Sequence, residues 1–246
     1  MVLCKDCNHE LDEPTNIATE NRSPCPCCGS TSRLFTVQTG GNIAPSGRLV
    51  GRKLSNDGTE AIRVSDSQKR SSATDLDTSG QLSYSIEGAS PRGESDTLDV
   101  CRTLIHRLNM SGGQWGAPTV PDGPEGGIDC VANNGQQALY IQVTRAVSKQ
   151  DIWRQLGRLG NATATATVQR AADDLFWCVQ TKAQKIPHAQ RSNLLLALDA
   201  MDTPGHALEV VIQDFQKRYG GAVRALGFQA IWVVGPLAEL TRRLDT

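Results

Sequence analysis

The sequence contains no run of eighteen consecutive apolar residues, so no segment is long and apolar enough to be read as a membrane-crossing helix. The N-terminus, "MVLCKDCNHE", places charges and thiols where a signal peptide would carry its apolar core, which predicts a soluble, cytoplasmic protein. A basic excess is lacking too. With 25 Lys and Arg against 26 Asp and Glu the formal charge is −1, and any contact with nucleic acid has to come from a local patch. Neither a Gly-x-x-x-x-Gly-Lys loop nor a dinucleotide fingerprint is present, so no nucleotide cofactor is expected. His106, His188 and His206 are too scattered to argue for a Ser/His/Asp arrangement.

What is present falls into three zones within 246 residues, a length that supports one main core and a small appendage. Residues 1–35 hold five of the eight cysteines. Residues 36–93 are rich in Gly, Ser, Thr and Asp, with alternating stretches such as "EAIRVSD" and "QLSYSIEG"; they read as a linker or a small β-rich insertion. The basic residues here, Arg48, Arg52, Lys53, Arg63, Lys69 and Arg70, are interrupted by acids and read as a solvated surface. From 94 to 246 strands and helices alternate, which predicts an α/β domain around a mixed sheet.

In that last zone, Leu98, Cys101, Leu104 or Ile105, and Leu108 recur at helical spacing, so a helix is expected over 96–109 with Ser95 as its N-cap. "GGIDCVANNGQQALYIQVTRA" reads as two strands joined at Asn133-Asn134-Gly135. A helix is expected around "SKQDIWRQLGRLG", continuing through the alanine- and threonine-rich stretch into "VQRAADD". "LFWCVQT", "NLLLALDA" and "FQAIWVVGP" read as buried strands, with a helix after Pro204. Asp202 is expected to cap that helix, and Trp153, Trp177 and Trp232 to lie in the core. Trp115 is expected to pack over a sheet edge, with stacking on a base as the other reading.

Cys4-Lys-Asp-Cys7 and Cys25-Pro-Cys-Cys28-Gly29 each present two thiolates across a tight turn, the arrangement a tetrahedral zinc ion requires of four sulfurs. Cys4, Cys7, Cys25 and Cys28 are the expected ligands of a structural zinc, with Cys27 a bystander and His9 an outside candidate. An iron–sulfur or redox site is the alternative use of four cysteines. Cys101, Cys130 and Cys178 read as buried thiols.

On the second strand of the hairpin, Gln142 and Thr144 share a face while Ile141, Val143 and Arg145 point away. If Asp129 faces the same side, a carboxylate and an amide oxygen meet, a pairing suited to magnesium and to phosphodiester chemistry. Asp129 as a plain strand terminator accepting backbone hydrogen bonds is the other reading.

Gly126-Gly127-Ile128-Asp129 followed by Gln142-Val143-Thr144-Arg145 resembles the Mrr-type branch of the PD-(D/E)xK, restriction endonuclease-like nuclease superfamily. The likeness runs over roughly residues 94–180. It implies a helix, a three-strand meander, a second helix and a further strand; a magnesium-dependent nuclease acting on DNA; a defence role in a bacterium; and an acid near the start of the first helix. Asp96 falls closest to that acid, with Glu94 and Asp99 as alternatives. The family's lysine position is Thr144, which carries no positive charge to steady a phosphoryl transition state. Lys149 is the candidate for a migrated cation, making Asp96, Asp129, Gln142 and Lys149 the implied catalytic set. The alternative is a nuclease fold without chemistry that binds nucleic acid or a protein partner. A homo-oligomer joined through the "LLLALDA" and "AIWVVGP" strands is a third expectation.

Overall fold

The computed structural model describes residues 2–4, 7, 9–13, 22–31, 33–35, 48–54, 58–66, 70–88, 94–121, 127–146 and 152–246. The chain divides into two units, Met1–Ile43 and Ala44–Thr246, each taken by itself. The first unit holds three short antiparallel strands, β1 (Val2–Cys4), β2 (Glu10–Leu11) and β3 (Arg33–Phe35), in the order β2-β1-β3.

The second unit opens with four strands, β4 (Arg48–Leu54), β5 (Glu60–Asp66), β6 (Arg70–Leu76) and β7 (Gln81–Gly88). Then come α1 (Glu94–Met110), β8 (Cys130–Asn133), β9 (Ala138–Arg145), α2 (Ile152–Leu159), β10 (Asn161–Thr167) and α3 (Val168–Lys185). The chain closes with α4 (His188–Arg191), β11 (Leu194–Asp199), a 3-10 turn over Pro204–Ala207, α5 (Glu209–Arg224), β12 (Ala230–Val234) and β13 (Arg242–Arg243).

These strands make two five-stranded sheets. One is antiparallel throughout, in the order β10-β7-β6-β5-β4. The alternation in β7 explains it: Leu82, Tyr84 and Ile86 turn inward, and Gln81, Ser83 and Glu87 turn to solvent. The β6–β7 turn is fixed by Asp77, whose Oδ1 accepts the backbone N–H groups of Ser79 at 2.8 Å and Gln81 at 2.9 Å. The 36–93 zone thus supplies four of these strands.

The other sheet, β13-β12-β11-β9-β8, is mixed: β9, β11 and β12 run parallel, and the outer strands β8 and β13 run antiparallel to their neighbours. Its central strands β11 and β12 are buried along their whole length and largely apolar on both faces, whereas β9 carries Gln142 and Thr144. Val100, Leu104 and Ile105 of α1 close one face over Ile141, Leu195, Ala197 and Trp232. The opposite face, with Leu196, Leu198, Ile231 and Val233, packs with Leu175, Val179, Val211 and Phe215 of α3 and α5. Stacking of Phe176 on Tyr219, ring centroids 4.1 Å apart, and Arg218 bridging Asp173 and Asp214 tie those two helices together. The molecule is therefore mixed α/β, and none of its helices among the described residues is long and apolar enough to cross a membrane.

Several expectations are corrected. "NATATAT" is β10, not helix: its threonines alternate with alanines at period two, and the alanines alone suggested helix. "LFWCVQT" lies inside α3, because Ala171, Ala172, Leu175, Cys178, Val179 and Ala183 form one buried helical stripe of which the short apolar run is part. Trp177, off that stripe, is 40% exposed. The Trp153 side chain lies outside the described residues. Helix α1 starts at Glu94, so Ser95 sits within its first turn rather than before it.

Asp202 is not the cap of the following helix: Thr203 precedes the 3-10 turn and Leu208 precedes α5, both without a side-chain cap. Asp202 is instead buried, with its carboxylate 3.7 Å from the Arg70 guanidinium. Arg70 is likewise buried rather than part of a solvated surface. "LLLALDA" and "AIWVVGP" supply β11 and β12, which pair with each other and lie inside the sheet between β9 and β13, so neither is an edge strand.

Candidate functional site

Cys4 ends β1, and its backbone N–H donates to the His9 carbonyl at 2.8 Å, closing the turn that carries Cys7. In the second knuckle the Cys25 N–H donates to Ser30 and the Gly29 N–H returns to Cys25, both at 2.8 Å. Gly29 has φ +75, a backbone conformation that glycine adopts without the Cβ penalty. The Cys27 N–H donates to the Cys25 sulfur at 3.4 Å, which steadies a thiolate without making Cys27 a ligand.

The four sulfurs of Cys4, Cys7, Cys25 and Cys28 lie within 4.8 Å of one another, with Cys4–Cys28 at 3.4 Å and Cys7–Cys25 at 3.6 Å. A tetrahedral zinc with sulfurs at about 2.3 Å requires sulfur pairs about 3.8 Å apart, so these thiols could hold such an ion. The cluster contains no His9 ring, and His9 contributes its carbonyl instead.

The second place to consider lies on the mixed sheet. Gln142 and Thr144 stand opposite Leu196 and Leu198 of β11, residues of the α3/α5 side, while Ile141 belongs to the α1 side. Asp129, just before β8, reaches that same α3/α5 side. Its Oδ2 accepts the Gln142 Nε2–H and the Val143 backbone N–H, the latter at 2.6 Å. The amide is nearly fully buried, where an unpaired one would be costly.

Gly127 completes the corner. Its φ is +87, and a Cβ there would stand 2.8 Å from Gln142 Oε1, so only glycine lets the amide occupy this position. A half-turn of the amide exchanges Oε1 and Nε2 within the same shape.

Lys182 on α3 is the cation that the sequence reading missed. Burial holds its ammonium below the usual lysine range, while the Asp129 carboxylate opposes that shift and Lys185 adds to it. Asp129 and Lys182 are thus within each other's field. Its sequence signal is hidden when "LFWCVQT" reads as a strand; on a helix through Lys185, Lys182 follows the buried Cys178 and Val179 by one turn.

The remaining members of the implied set fall wholly or partly outside the described residues. Lys149 lies outside the described residues, and Asp96 is in the first turn of α1 with its side chain outside them. Thr144 is half-buried on the Gln142 face. Among the described residues the four cysteines form the one gathering of three or more His, Cys, Asp or Glu side chains of metal-binding shape.

Cys101, Cys130 and Cys178 are buried thiols. The hydrogen bond to Cys130, then burial, push the Cys101 thiol up, so it stays protonated. Trp115 packs against the α1-side core, its backbone tied to the Asn109 side chain by two hydrogen bonds of 2.9 Å. No protein-family model, curated protein or solved structure matches the chain.

Proposed function

We propose that the second unit is a magnesium-dependent nuclease acting on DNA, with Asp129 and Gln142 as its metal-facing pair and Lys182 as the cation in place of the lysine that Thr144 replaces. The observation carrying this reading is the joint one: a carboxylate and a buried amide meet on one face of a mixed sheet, and a half-buried lysine of the overlying helix lies in that carboxylate's field. The order α1, the Thr119–Val131 bridge, β8, β9, α3 and β11 follows the succession that the family resemblance implies once α2, β10 and α4 are set aside as insertions, with the first meander strand reduced to one bridge.

The residues suit a hard cation. Asp129 has Oδ1 outside the two hydrogen bonds its other oxygen accepts; Gln142 would turn a neutral oxygen toward a bound cation only by rotating its amide, exchanging the Nε2–H···Oδ2 hydrogen bond for a metal contact. Magnesium bound there would supply Lewis acidity toward a phosphate oxygen. Lys182 would place a positive charge where charge develops during phosphodiester attack, an effect that works best where water is scarce. The cysteine cluster, with zinc, serves as a structural module contacting DNA or a protein partner.

The test is a cleavage assay on the purified full chain with magnesium and linear or plasmid DNA. Asp129→Asn and Lys182→Ala are each expected to lower the rate about 100-fold, with Lys185→Ala close to wild type. Absence of metal-dependent cleavage in the wild type would end the enzyme reading.

A second reading has its own observation: Asp129 Oδ2 already accepts two donors, which is what a purely structural tie between β9 and the segment before β8 requires. The unit would then be a nuclease-fold binding module. DNA binding by fluorescence anisotropy without cleavage, together with loss of stability in Asp129→Asn, is the result that selects it.

A further inference from the structure

The inner face of the antiparallel sheet is apolar except for one strip along β6. Ile62 and Val64 of β5, Leu82 and Ile86 of β7 and Ala162 of β10 are buried hydrophobic residues, whereas β6 turns Arg70, Ser72 and Thr74 inward. Tyr84 of β7 stands directly opposite Thr74 and so shares its face. This polar strip meets the Pro204–Ala207 turn, where a Cβ on Gly205 would lie 2.7 Å from the Thr74 methyl carbon and 2.9 Å from the Tyr84 ring.

Charge within the strip is matched. Arg70 lies 3.7 Å from the Asp202 carboxylate, and Asp174, whose charge is felt by Tyr84, lies 3.4 Å from Arg170. A further ion would upset that balance in the interior. The hydroxyls are a different case. Ser72 is 4% exposed, Thr74 1% and Tyr84 3%, and among the described residues none of the three hydroxyl oxygens has a hydrogen-bond partner. A buried hydroxyl in that condition is costly, and folded proteins bring such groups a partner.

The packing sets the size of that partner. Thr74 turns its methyl to Gly205, so its Oγ1 points away from the turn. Ser72 stands in register between Val64 and Ile86 and is shorter than both, so the face dips at its Oγ. With the turn backbone already against Thr74 and Tyr84, an organic molecule is too large for the place.

We propose that this dip is an internal water site, in which ordered water hydrogen-bonds Ser72 Oγ, Thr74 Oγ1 and Tyr84 Oη beneath the turn. Water is small enough, carries no charge, and both donates and accepts, as each of the three hydroxyls does.

Two readouts on the full chain test it. Thr74→Val keeps the side-chain shape and removes one hydroxyl, and Ser72→Ala removes another. A hydroxyl with no partner weakens the fold, so its removal would raise the urea midpoint; a hydroxyl that holds water contributes a hydrogen bond, so its removal lowers the midpoint. Each variant is therefore expected to unfold at lower urea, with the unfolded-to-folded ratio in water raised about fivefold.

The second readout needs no variant. A crystal structure of the wild type is expected to place a water oxygen about 2.8 Å from at least two of the three hydroxyl oxygens. A crystal structure without such a water, or a midpoint that rises in either variant, would overturn the proposal.

Discussion

Acidification should destabilise the second unit through one histidine. His206 lies in the Pro204–Ala207 turn at 1% exposure, its ring stacked on Tyr84 with centroids 5.4 Å apart. Its Nδ1 is 3.3 Å from the Thr203 carbonyl and is assigned the proton that donates to it. Nε2 is buried without a hydrogen-bond partner among the described residues. Protonation would add an N–H where nothing accepts it, and burial pushes the pKa down to about 4 from 6.5, with the Thr203 carbonyl opposing.

Because the folded state resists the proton that the unfolded chain takes up, stability is complete above pH 6.5 and falls as pH drops toward 4. At about 1.4 kcal/mol per pKa unit, a shift of this size corresponds to a loss of about 3 kcal/mol. Arg70, Asp202, Tyr84 and Asp174 are the charged and titratable groups close to this turn and to the strands it packs on. The difference between wild type and His206→Gln reports on the imidazole. Urea unfolding followed by tryptophan emission suits the measurement, since Trp115, Trp153, Trp177 and Trp232 all belong to the second unit. Equal pH dependence of wild type and His206→Gln between pH 4 and 7 would refute the reasoning.

Two further outcomes follow from the sites. One zinc per chain should be released on mercurial titration of the wild type and of Cys27→Ser, whereas Cys25→Ser should fail to retain the metal; retention by Cys25→Ser would mean a different ligand set. Gly127→Ala should cost about 1–2 kcal/mol from the left-handed backbone alone and should displace the Gln142 amide, so its effect on DNA cleavage or binding should exceed its effect on melting temperature. A variant as active and as stable as wild type would contradict the close approach of the amide.

The parts of the fold that could be read from sequence are those where one local signal dominates. The four cysteines gather as their spacing predicts, because each knuckle is a short turn whose geometry is set within a few residues. Strands β11 and β12 were legible as short apolar runs, and the hairpin at Asn134 as a turn signal. Asp129 and Gln142 were legible as neighbours because strand alternation fixes the face of one and the hairpin brings the other alongside.

What failed were segments whose tertiary setting overrides local composition. Alanine favours helix, yet Ala162 and Ala164 are the small side chains that let the β-sheet close against Ile152 and Leu156 of α2, and Ala166 packs in the larger core with Ile62 and Leu82. The Leu175–Val179 run is apolar enough for a strand, and only its phase with Ala171 and Ala183, residues further away, reveals a helix. Arg70 and Asp202 are far apart in sequence, so neither composition nor spacing announces that one neutralises the other in the interior.

Thr167 is both the last residue of β10 and the residue whose hydroxyl accepts the Arg170 N–H at 3.2 Å to start α3. There is no loop between the two elements to absorb a shift. The end of the strand therefore fixes where the helix begins, and the phase set at Thr167 carries through α3 to Lys182 in its last turn.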